Sequence, residues 1–227
     1  MIKILPILLA VGYGLVMYRF SVWRTGRELD EQSTVLADPK LVAMSNQMAK
    51  ALDLPRINVH IYEIEPVNGL AAPDGRIFIT RGFYNKFCAG EVTAEELASV
   101  IAHELGHVAL GHSRRRMIDF SGQNAMRAAL GMVLSRFIPG VGFWIANMLT
   151  SLLAAKLSRS DEFEADAYAA ALLTKAGIGI APQISLFEKL DTLTKSGGGR
   201  PPAWLMTHPK TEERIAALNK MQVKWER

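Results

Sequence analysis

The sequence is poor in cysteine and has only a small excess of one charge. Cys88 is the one cysteine among 227 residues, so an internal disulfide and a zinc site built from cysteine pairs are both excluded. The chain has 26 lysines and arginines against 22 aspartates and glutamates, a net charge of +4. Its aromatic residues do not alternate with the basic ones, so we expect no nucleic acid among the partners. An anionic membrane surface is a more natural partner for this mild basicity.

Histidine is also scarce, and four of the five histidines fall into motifs. Residues 103–107 read His-Glu-Leu-Gly-His, which is the HExxH pattern. On a helix, His103 and His107 lie one above the other, so both imidazoles can bind a single zinc ion. Glu104 is offset by one residue and can take a proton from water at the open position of that metal. The pattern therefore predicts two metal ligands and a general base.

The segment around the motif has the signals of a buried helix. Thr93 and Glu96 form a capping box, which predicts where the helix begins. An apolar stripe follows at helical spacing, formed by Leu97, Val100, Ile101, Leu105 and Val108. A core helix with two inward-facing histidines and a glutamate but no ligand would leave costly unsatisfied groups. We therefore favour a metal site over a purely structural helix.

A catalytic zinc ion holds three protein ligands, so one more is expected from outside this helix. The metzincin pattern would need a glycine at Leu110 and a histidine at Ser113, and it is therefore excluded. His112 lies about 140° round an ideal helix from His107, which indicates a packing or supporting group and not a ligand.

A second helix, predicted at residues 158–168, offers the missing ligand. Glu162 and Asp166 are four residues apart and therefore share a face. Glu162 can complete a His-His-Glu zinc set, and Asp166 can accept the second N–H of a ligand imidazole, which fixes its tautomer. Glu164 points about 200° away from Glu162, so only one of the two glutamates can face the metal. Periodicity alone does not decide between them.

His208 stands immediately before Pro209, at the start of a helix predicted over residues 210–221, and is placed to point back into a cleft. Its imidazole can stabilise the oxyanion that develops during catalysis, or it can occupy the open metal position in a self-inhibited form. Arg214 is expected to brace the site through a carboxylate. The glycine-rich stretch 196–202 is expected to form a flexible loop that can close over the cleft.

Short strands are expected before the HExxH helix. Residues 57–62 alternate in polarity, and residues 76–80 form a second strand after a Pro-Asp-Gly turn. Residues 68–72 are expected to pair with that second strand. The predicted fold class is therefore α+β, mainly helical, with a small antiparallel sheet before the HExxH helix.

The first of two long apolar runs lies at the N-terminus. Residues 4–23 are mostly apolar and are interrupted only by Arg19, which predicts a transmembrane anchor over residues 1–24. The domain that carries the HExxH motif is then expected to occupy residues 28–227. A cleaved signal peptide is the competing interpretation, but no small-residue cleavage site follows the run. Arginines after the span favour a cytoplasmic catalytic domain over a periplasmic one.

The second apolar run covers residues 128–155 and is split by Arg136. Pro139 and two glycines shorten the helical part that follows, so a second membrane span is disfavoured. We expect an inserted helical hairpin that packs on the domain or dips into a membrane interface.

Four motifs together resemble a known family. They are HELGH, SRSDEFEADA, Thr207-His208-Pro209 and Arg214-Ile215. This combination is similar to the HtpX-like, CAAX-prenyl-endopeptidase type of membrane-associated zinc metallopeptidase, a gluzincin family. The stretch 68–82 is similar to the strand segment that these enzymes carry before the active-site helix. The resemblance extends over residues 40–220.

The resemblance implies a zincin-like domain with one zinc ion. It implies that Glu162 is the third ligand, beside His103 and His107. It also implies that Asp166 is the carboxylate behind a ligand histidine, and that His208 approaches the metal. The implied activity is that of a zinc metalloendopeptidase in membrane-associated protein quality control, with unfolded or membrane proteins as substrates and membrane lipid as a partner.

An extended substrate is expected to add to the sheet along Asn68, Ala71 and Ala72. A zinc-containing chaperone or binding protein of the same fold is the alternative, although no feature of the sequence favours a loss of activity. A protease with its motif inside the bilayer is excluded, because charged residues at positions 95–96 and 114–116 leave too short an apolar stretch.

Overall fold

The computed structural model describes residues 16, 19–20, 23–72, 74–112, 127–128, 130–196, 203–208 and 212–225. It divides into two compact units, one formed by residues 1–33 and 115–152 and the other by residues 34–114 and 153–227. The predicted anchor over residues 1–24 lies almost entirely outside the described residues. Among the helices that are described, none is long and apolar enough to cross a membrane.

A four-stranded sheet lies in the larger unit, beginning at the boundary residue Ser33. Its strands are β1 (Ser33–Val35), β2 (Val59–Tyr62), β3 (Gly69–Ala71) and β4 (Ile77–Thr80). Their order across the sheet is β1-β2-β4-β3, so β3 forms an edge. The expected pairing of residues 68–72 with 76–80 is confirmed, because β3 runs antiparallel to β4 with Leu70 opposite Phe78.

The expectation of a purely antiparallel sheet is wrong, because β2 and β4 are parallel, with Val59 opposite Ile77. The chain passes from β2 to the far edge as β3 and then turns back as β4, between the two earlier strands. Two reversals of direction leave β2 and β4 pointing the same way. The polarity pattern of the sequence predicts each strand separately. It does not indicate that β4 lies between β2 and β3 in the sheet. The coarser prediction of a mainly helical α+β fold is confirmed.

Seven helices are described with defined bounds. They are α1 (Pro39–Ala51), α2 (Arg81–Cys88), α3 (Ala94–Ala109), α4 (Gly142–Lys175), α5 (Ala181–Ser196), α6 (Ala203–Thr207) and α7 (Glu212–Trp225). The predicted capping box at the start of α3 is present, since the Glu96 N–H donates to Thr93 Oγ1 at 3.1 Å and the Thr93 N–H donates to Glu96 Oε2 at 2.8 Å.

Helix α3 is the centre of the larger unit, and it packs against α1, β3, β4 and α5. Its residues are buried without a break from Ala94 to His107 except for the exposed Glu95. Helix α3 therefore buries polar side chains together with its apolar stripe, among them Ser99, His103 and Glu104, and each of these polar groups needs a partner in the interior. The HExxH motif therefore lies in the last turns of a core helix, where its polar groups are shielded from water.

A glycine and an alanine allow α4 to approach α3 closely. A Cβ atom on Gly106 would lie 3.1 Å from both the Cα and the carbonyl oxygen of Ala165, which is tighter than ordinary contact. Ala165 and Ala169, one helical turn apart, are both fully buried. This contact brings the acidic segment of α4 against the end of the HExxH helix.

In the smaller unit, residues 130–137 are helical and a turn over residues 138–141 precedes α4. The two helical arms are tightly packed, since a Cβ on Gly131 would lie 2.7 Å from the ring of Phe143, and one on Gly142 would lie 2.3 Å from the Ser135 nitrogen. Gly140 has a φ of +86°, which suits the turn.

Candidate metal centre

Four buried side chains converge at the contact between α3 and α4. His103, His107, Glu162 and His208 each offer one ligand atom, and these atoms all lie within 4.8 Å of one another. The Nε2 atoms of His103 and His107 are 3.1 Å apart. Glu162 Oε2 lies 3.4 Å from His103 Nε2, and Glu162 Oε1 lies 3.5 Å from His107 Nε2. Helical spacing of four residues explains the first pair, and the close helix contact explains the approach of Glu162.

This donor set fits a zinc ion. Tetrahedral zinc with ligand atoms at about 2.0–2.2 Å separates those atoms by roughly 3.3–3.6 Å, and the separations of 3.1–3.5 Å come close to that range. Two imidazole nitrogens and one carboxylate are also the ligand types that catalytic zinc sites use. Without a cation, two imidazole nitrogens with a carboxylate would crowd together in a space closed to solvent.

Glu104 follows His103 on α3 and is equally buried, with 2% of its surface exposed. Its carboxylate is not one of the four converging groups. Its Oε1 atom makes no hydrogen bond within the part of the chain that the structure describes, although His208 Nε2 lies 3.3 Å away. A buried carboxylate beside a metal site, with one oxygen uncommitted, is able to accept a proton from a reacting molecule.

Asp166 stands behind His103 on the side away from the cluster. Its Oδ1 atom lies 3.0 Å from His103 Nδ1. Arg214, from α7, donates to both oxygens of this carboxylate, with Nε to Oδ2 at 2.6 Å and Nη2 to Oδ1 at 2.8 Å. Arg214 Nη1 also lies 3.3 Å from Glu162 Oε2. The fork of the guanidinium therefore bridges two buried carboxylates, which is the kind of bracing that the sequence suggested for Arg214.

Burial and ion pairing compete in setting the charges of these groups. Burial alone would lower the pKa of His103, but its contacts with Asp166 and Glu162 outweigh burial and raise that pKa to about 9. Burial would raise the pKa of Glu162, yet the hydrogen bonds from His103 and His208 bring it well below its usual range. For Asp166, burial is likewise outweighed by Arg214 and then His103, so its pKa is lowered. Both carboxylates are therefore ionised at neutral pH.

A fourth histidine, His112, stands behind His107. The Nδ1 atoms of His107 and His112 are 2.9 Å apart, and His112 is fully buried. His112 Nε2 lies 3.3 Å from Glu164 Oε2 and 3.8 Å from Asp161 Oδ1. The structure therefore brings Glu162 to the histidine cluster and Glu164 to His112. The helical period alone had left the choice between the two glutamates open.

His208 reaches the cluster from the short helix α6. Its Nδ1 atom lies 2.9 Å from Glu162 Oε2 and 3.3 Å from His103 Nε2. The backbone N–H of Trp204 donates to the carbonyl oxygen of Val67 at 3.0 Å, which connects the start of α6 to the loop before β3. The Trp204 ring is buried beside both His103 and His208.

Two residues of this region were missed by the sequence analysis. Trp204 covers His103, and its position four residues before His208 is the signal that could have identified it. The side-chain amide nitrogen of Gln183, from α5, lies 3.4 Å from Asp166 Oδ1. No local sequence pattern predicts this contact between two helices. The predicted loop over residues 196–202 lies, beyond Ser196, outside the described residues.

The edge strand β3 passes beside Glu104. A Cβ on Gly69 would lie 3.6 Å from Glu104 Cγ and 2.7 Å from Val100 Cγ1. The backbones of Asn68 and Ala72 pair with β4, because Asn68 O accepts from the Thr80 N–H and the Ala72 N–H donates to Arg76 O. In an antiparallel ladder the residues that alternate with these direct their backbone groups to the other side. Gly69 and Ala71 therefore face the outer edge, where the Gly69 N–H donates to the Asn68 side chain.

Comparison with known proteins gives a consistent result. The sequence model of peptidase family M48 matches residues 36–222. Metalloprotease LoiP of Escherichia coli (strain K12) is 30% identical over 83% of this chain and 73% of its own length. A protease HtpX homolog of Chlorobium phaeobacteroides (strain BS1) is 25% identical over 92% of this chain and 79% of its own length. The human mitochondrial metalloendopeptidase OMA1 is 24% identical over 74% of this chain but only 34% of its own length.

The charges at the cluster predict how pH affects the stability of the metal-free protein. The folded pKa of His103, about 9, exceeds the ordinary value of 6.5, so its protonation stabilises the fold. That contribution is complete below pH 6.5 and is lost as the pH rises through about 9. Glu162 and Asp166 have lowered pKa values, so their contribution is present above about pH 4.5 and is lost in acid.

We therefore expect the metal-free protein to be most stable between about pH 4.5 and 6.5, and to lose stability towards about pH 9. Urea unfolding in the presence of a chelator at several pH values measures this. An Asp166→Asn variant is the control. Its free energy of unfolding should fall less between pH 6.5 and 9, because the carboxylate that raises the His103 pKa is gone. Stability that increased from pH 6.5 to 9 would contradict the assignment.

Proposed function

The chain belongs to peptidase family M48 and is a zinc metalloendopeptidase, and from this premise we propose that His103, His107 and Glu162 hold the zinc ion and that Glu104 is the general base. The observation that carries the proposal is the convergence of buried donor atoms within 4.8 Å at the junction of α3 and α4. Zinc supplies Lewis acidity, which polarises the scissile carbonyl and makes water a stronger acid near neutral pH. Proton transfer and the orientation of the metal ligands are carried out by side chains of this protein.

Glu104 accepts a proton from the attacking water and returns it to the leaving amine. Its buried position beside the cluster supports this role, since Oε1 makes no hydrogen bond to the described residues and has His208 Nε2 3.3 Å away. Asp166 holds His103 by its Nδ1 atom so that Nε2 faces the metal. Arg214 keeps Asp166 ionised and in place. Removing one partner of such a buried ion pair costs about 3–5 kcal/mol, because the other charge is left unpaired in the interior.

His208 would be a fourth protein donor to the metal in a resting, self-inhibited form. Its Nδ1 atom lies 2.9 Å from Glu162 Oε2 and 3.3 Å from His103 Nε2, so it would compete with water for the open position. A substrate must then displace α6 and the Trp204 ring that accompanies it. The alternative role is that the His208 imidazole, whose Nε2 lies 3.3 Å from Glu104 Oε1, stabilises the developing oxyanion.

The substrate is an extended polypeptide that adds to the outer edge of β3. The Ala71 backbone and the Gly69 carbonyl face that edge, and β3 passes within contact distance of Glu104. Pairing through the backbone accepts many sequences, which suits a protease that acts on unfolded or membrane proteins in quality control. The Asn68 side chain, now bonded to the Gly69 N–H, gives way to the incoming strand.

Membrane association is supported by the hairpin as well as by the predicted N-terminal anchor. The hairpin exposes an unusual number of large apolar side chains: Met132, Val133, Phe137, Ile138, Val141, Phe143, Trp144, Met148, Leu149 and Leu152. No charged residue lies between Arg136 and Lys156. The unbroken part of the first arm that the structure describes, residues 130–137, is about 12 Å long at 1.5 Å per residue, shorter than a bilayer core of about 30 Å. We infer that the hairpin tip inserts into one leaflet of an anionic membrane.

Replacement of Glu104 by Gln tests the general base. Zinc should remain bound in a 1:1 ratio, because the three ligands are intact, while peptide cleavage should fall by about 10²–10⁴-fold. Zinc is measured by mass spectrometry and cleavage with a quenched fluorescent peptide. Glu95→Gln is the matched control on the exposed face of the same helix, and it should be fully active. An active Glu104→Gln protein with bound zinc would reject the mechanism.

Replacement of His208 by Ala tests self-inhibition. Zinc should stay bound through three ligands, and cleavage of a short peptide should increase, on the order of tenfold if a tenth of the native molecules are open. Met206→Ala, on the exposed side of the same short helix, should change neither quantity. A loss of activity with zinc retained would instead make His208 an oxyanion-stabilising group.

Insertion of the hairpin is tested with a polarity-sensitive dye. Cys88 is first replaced by Ser, and Phe137→Cys or Met206→Cys then provides the labelling site; these two residues are 75% and 73% exposed. Vesicles that contain phosphatidylglycerol should shift the emission of the dye at position 137 to the blue and leave the dye at position 206 unchanged. Both labelled variants carry the same predicted N-terminal anchor, so the difference between positions 137 and 206 reports on the hairpin and not on the anchor. A dye at position 137 that stayed in water would refute insertion.

A further inference from the structure

We propose that His112, supported by Glu164, is the positioning residue for His107, and that it holds this imidazole with Nε2 directed at the metal. The inference rests on the proposed function, because it takes His107 to be a ligand. It makes His112 the counterpart of Asp166, which stands behind His103 in the same way. The two ligand histidines of the HExxH motif are then held by chemically different groups.

The distances allow one arrangement of protons along this chain of groups. His107 directs Nε2 at the cluster, where it lies 3.1 Å from His103 Nε2. A neutral imidazole that binds a metal through Nε2 carries its proton on Nδ1. That proton needs an acceptor, and His112 Nδ1 lies 2.9 Å away. His112 must then carry its own proton on Nε2, from which it can donate to Glu164 Oε2 at 3.3 Å.

Gly111 explains how His112 reaches this position. On an ideal helix His112 would lie about 140° round from His107 and could not face it. Helix α3, however, ends at Ala109, and Gly111 has a φ of +69°, a left-handed conformation that glycine adopts at little cost. The chain therefore turns after Leu110, and the His112 side chain is brought back against the last turn of the helix.

The two supports differ in chemistry. Asp166 is a carboxylate bonded to a guanidinium, whereas His112 presents a ring nitrogen and faces a glutamate whose side chain is 46% exposed. Glu104, Asp161, Glu162 and Asp166 already bring four carboxylates into the interior. An imidazole acceptor orients the second ligand without burying a fifth carboxylate, whose desolvation would be costly.

Two variants separate orientation from packing. His112→Asn keeps a side-chain oxygen near the position of Nδ1, whereas His112→Leu fills a similar volume without an acceptor. Zinc affinity of the full chain is measured by competition with a chromophoric chelator. We expect His112→Leu to weaken zinc binding by about 10–100-fold and His112→Asn to restore most of the loss, as is typical when a group behind a metal ligand is removed. Urea unfolding of the metal-free variants verifies that both are folded.

Wild-type affinity in His112→Leu, or an equal loss in both variants, would overturn the proposal, because either result would leave His112 without an orienting role. The His107→Ala variant distinguishes this failure from a failure of the proposed function. If His107→Ala abolishes zinc binding while His112→Leu does not affect it, only the role of His112 is wrong. If His107→Ala also leaves affinity unchanged, His107 is not a ligand and the proposed function fails as well.

Discussion

The close contact between α3 and α4 at Gly106 is the constraint on which the site depends. Any side chain at position 106 would push the backbone at Ala165 away. Glu162 lies one turn before that contact and Asp166 immediately after it, so the separation of the two helices sets the distance from both carboxylates to the histidines of α3. The glycine of HELGH is therefore explained by packing, while its neighbours are explained by chemistry. Geometry of this kind is rigid because protein interiors are densely packed.

The interior position of the cluster has an electrostatic consequence. Four carboxylates, those of Glu104, Asp161, Glu162 and Asp166, are buried around the site along two helices, and each would favour protonation if it were isolated. The Arg214 guanidinium, the imidazoles and a divalent cation provide the compensating charge. The site is thus a balanced set of charges, in which each group determines the protonation of the others. Such a set is sensitive to the loss of any one member.

Much of the site could be predicted because its residues are related by local periodicity. The pairs His103 with His107 and Glu162 with Asp166 are each four residues apart on one helix, and a helix places such pairs on a common face. Choosing Glu162 over Glu164 requires knowledge of how α4 is rotated against α3, which depends on small residues at the contact. The position of His112 depends on the left-handed turn at Gly111, which a continuous helical wheel does not anticipate. The parallel pairing of β2 and β4 depends on strand order, which is a property of the whole sheet.

The bracing of Asp166 by Arg214 also bears on the order in which the protein is made. The two residues are 48 positions apart, and the Arg214 helix leaves the ribosome after every other described element. A nascent chain that ends after α4 has the three proposed zinc ligands and Glu104, but it lacks the guanidinium that compensates Glu162 and Asp166. Asp166 would then be buried without the cation that it pairs with in the complete chain, which makes closing the helices more costly. The last helix of the described chain thus completes the charge balance of a site whose proposed metal ligands His103, His107 and Glu162 are all made before it.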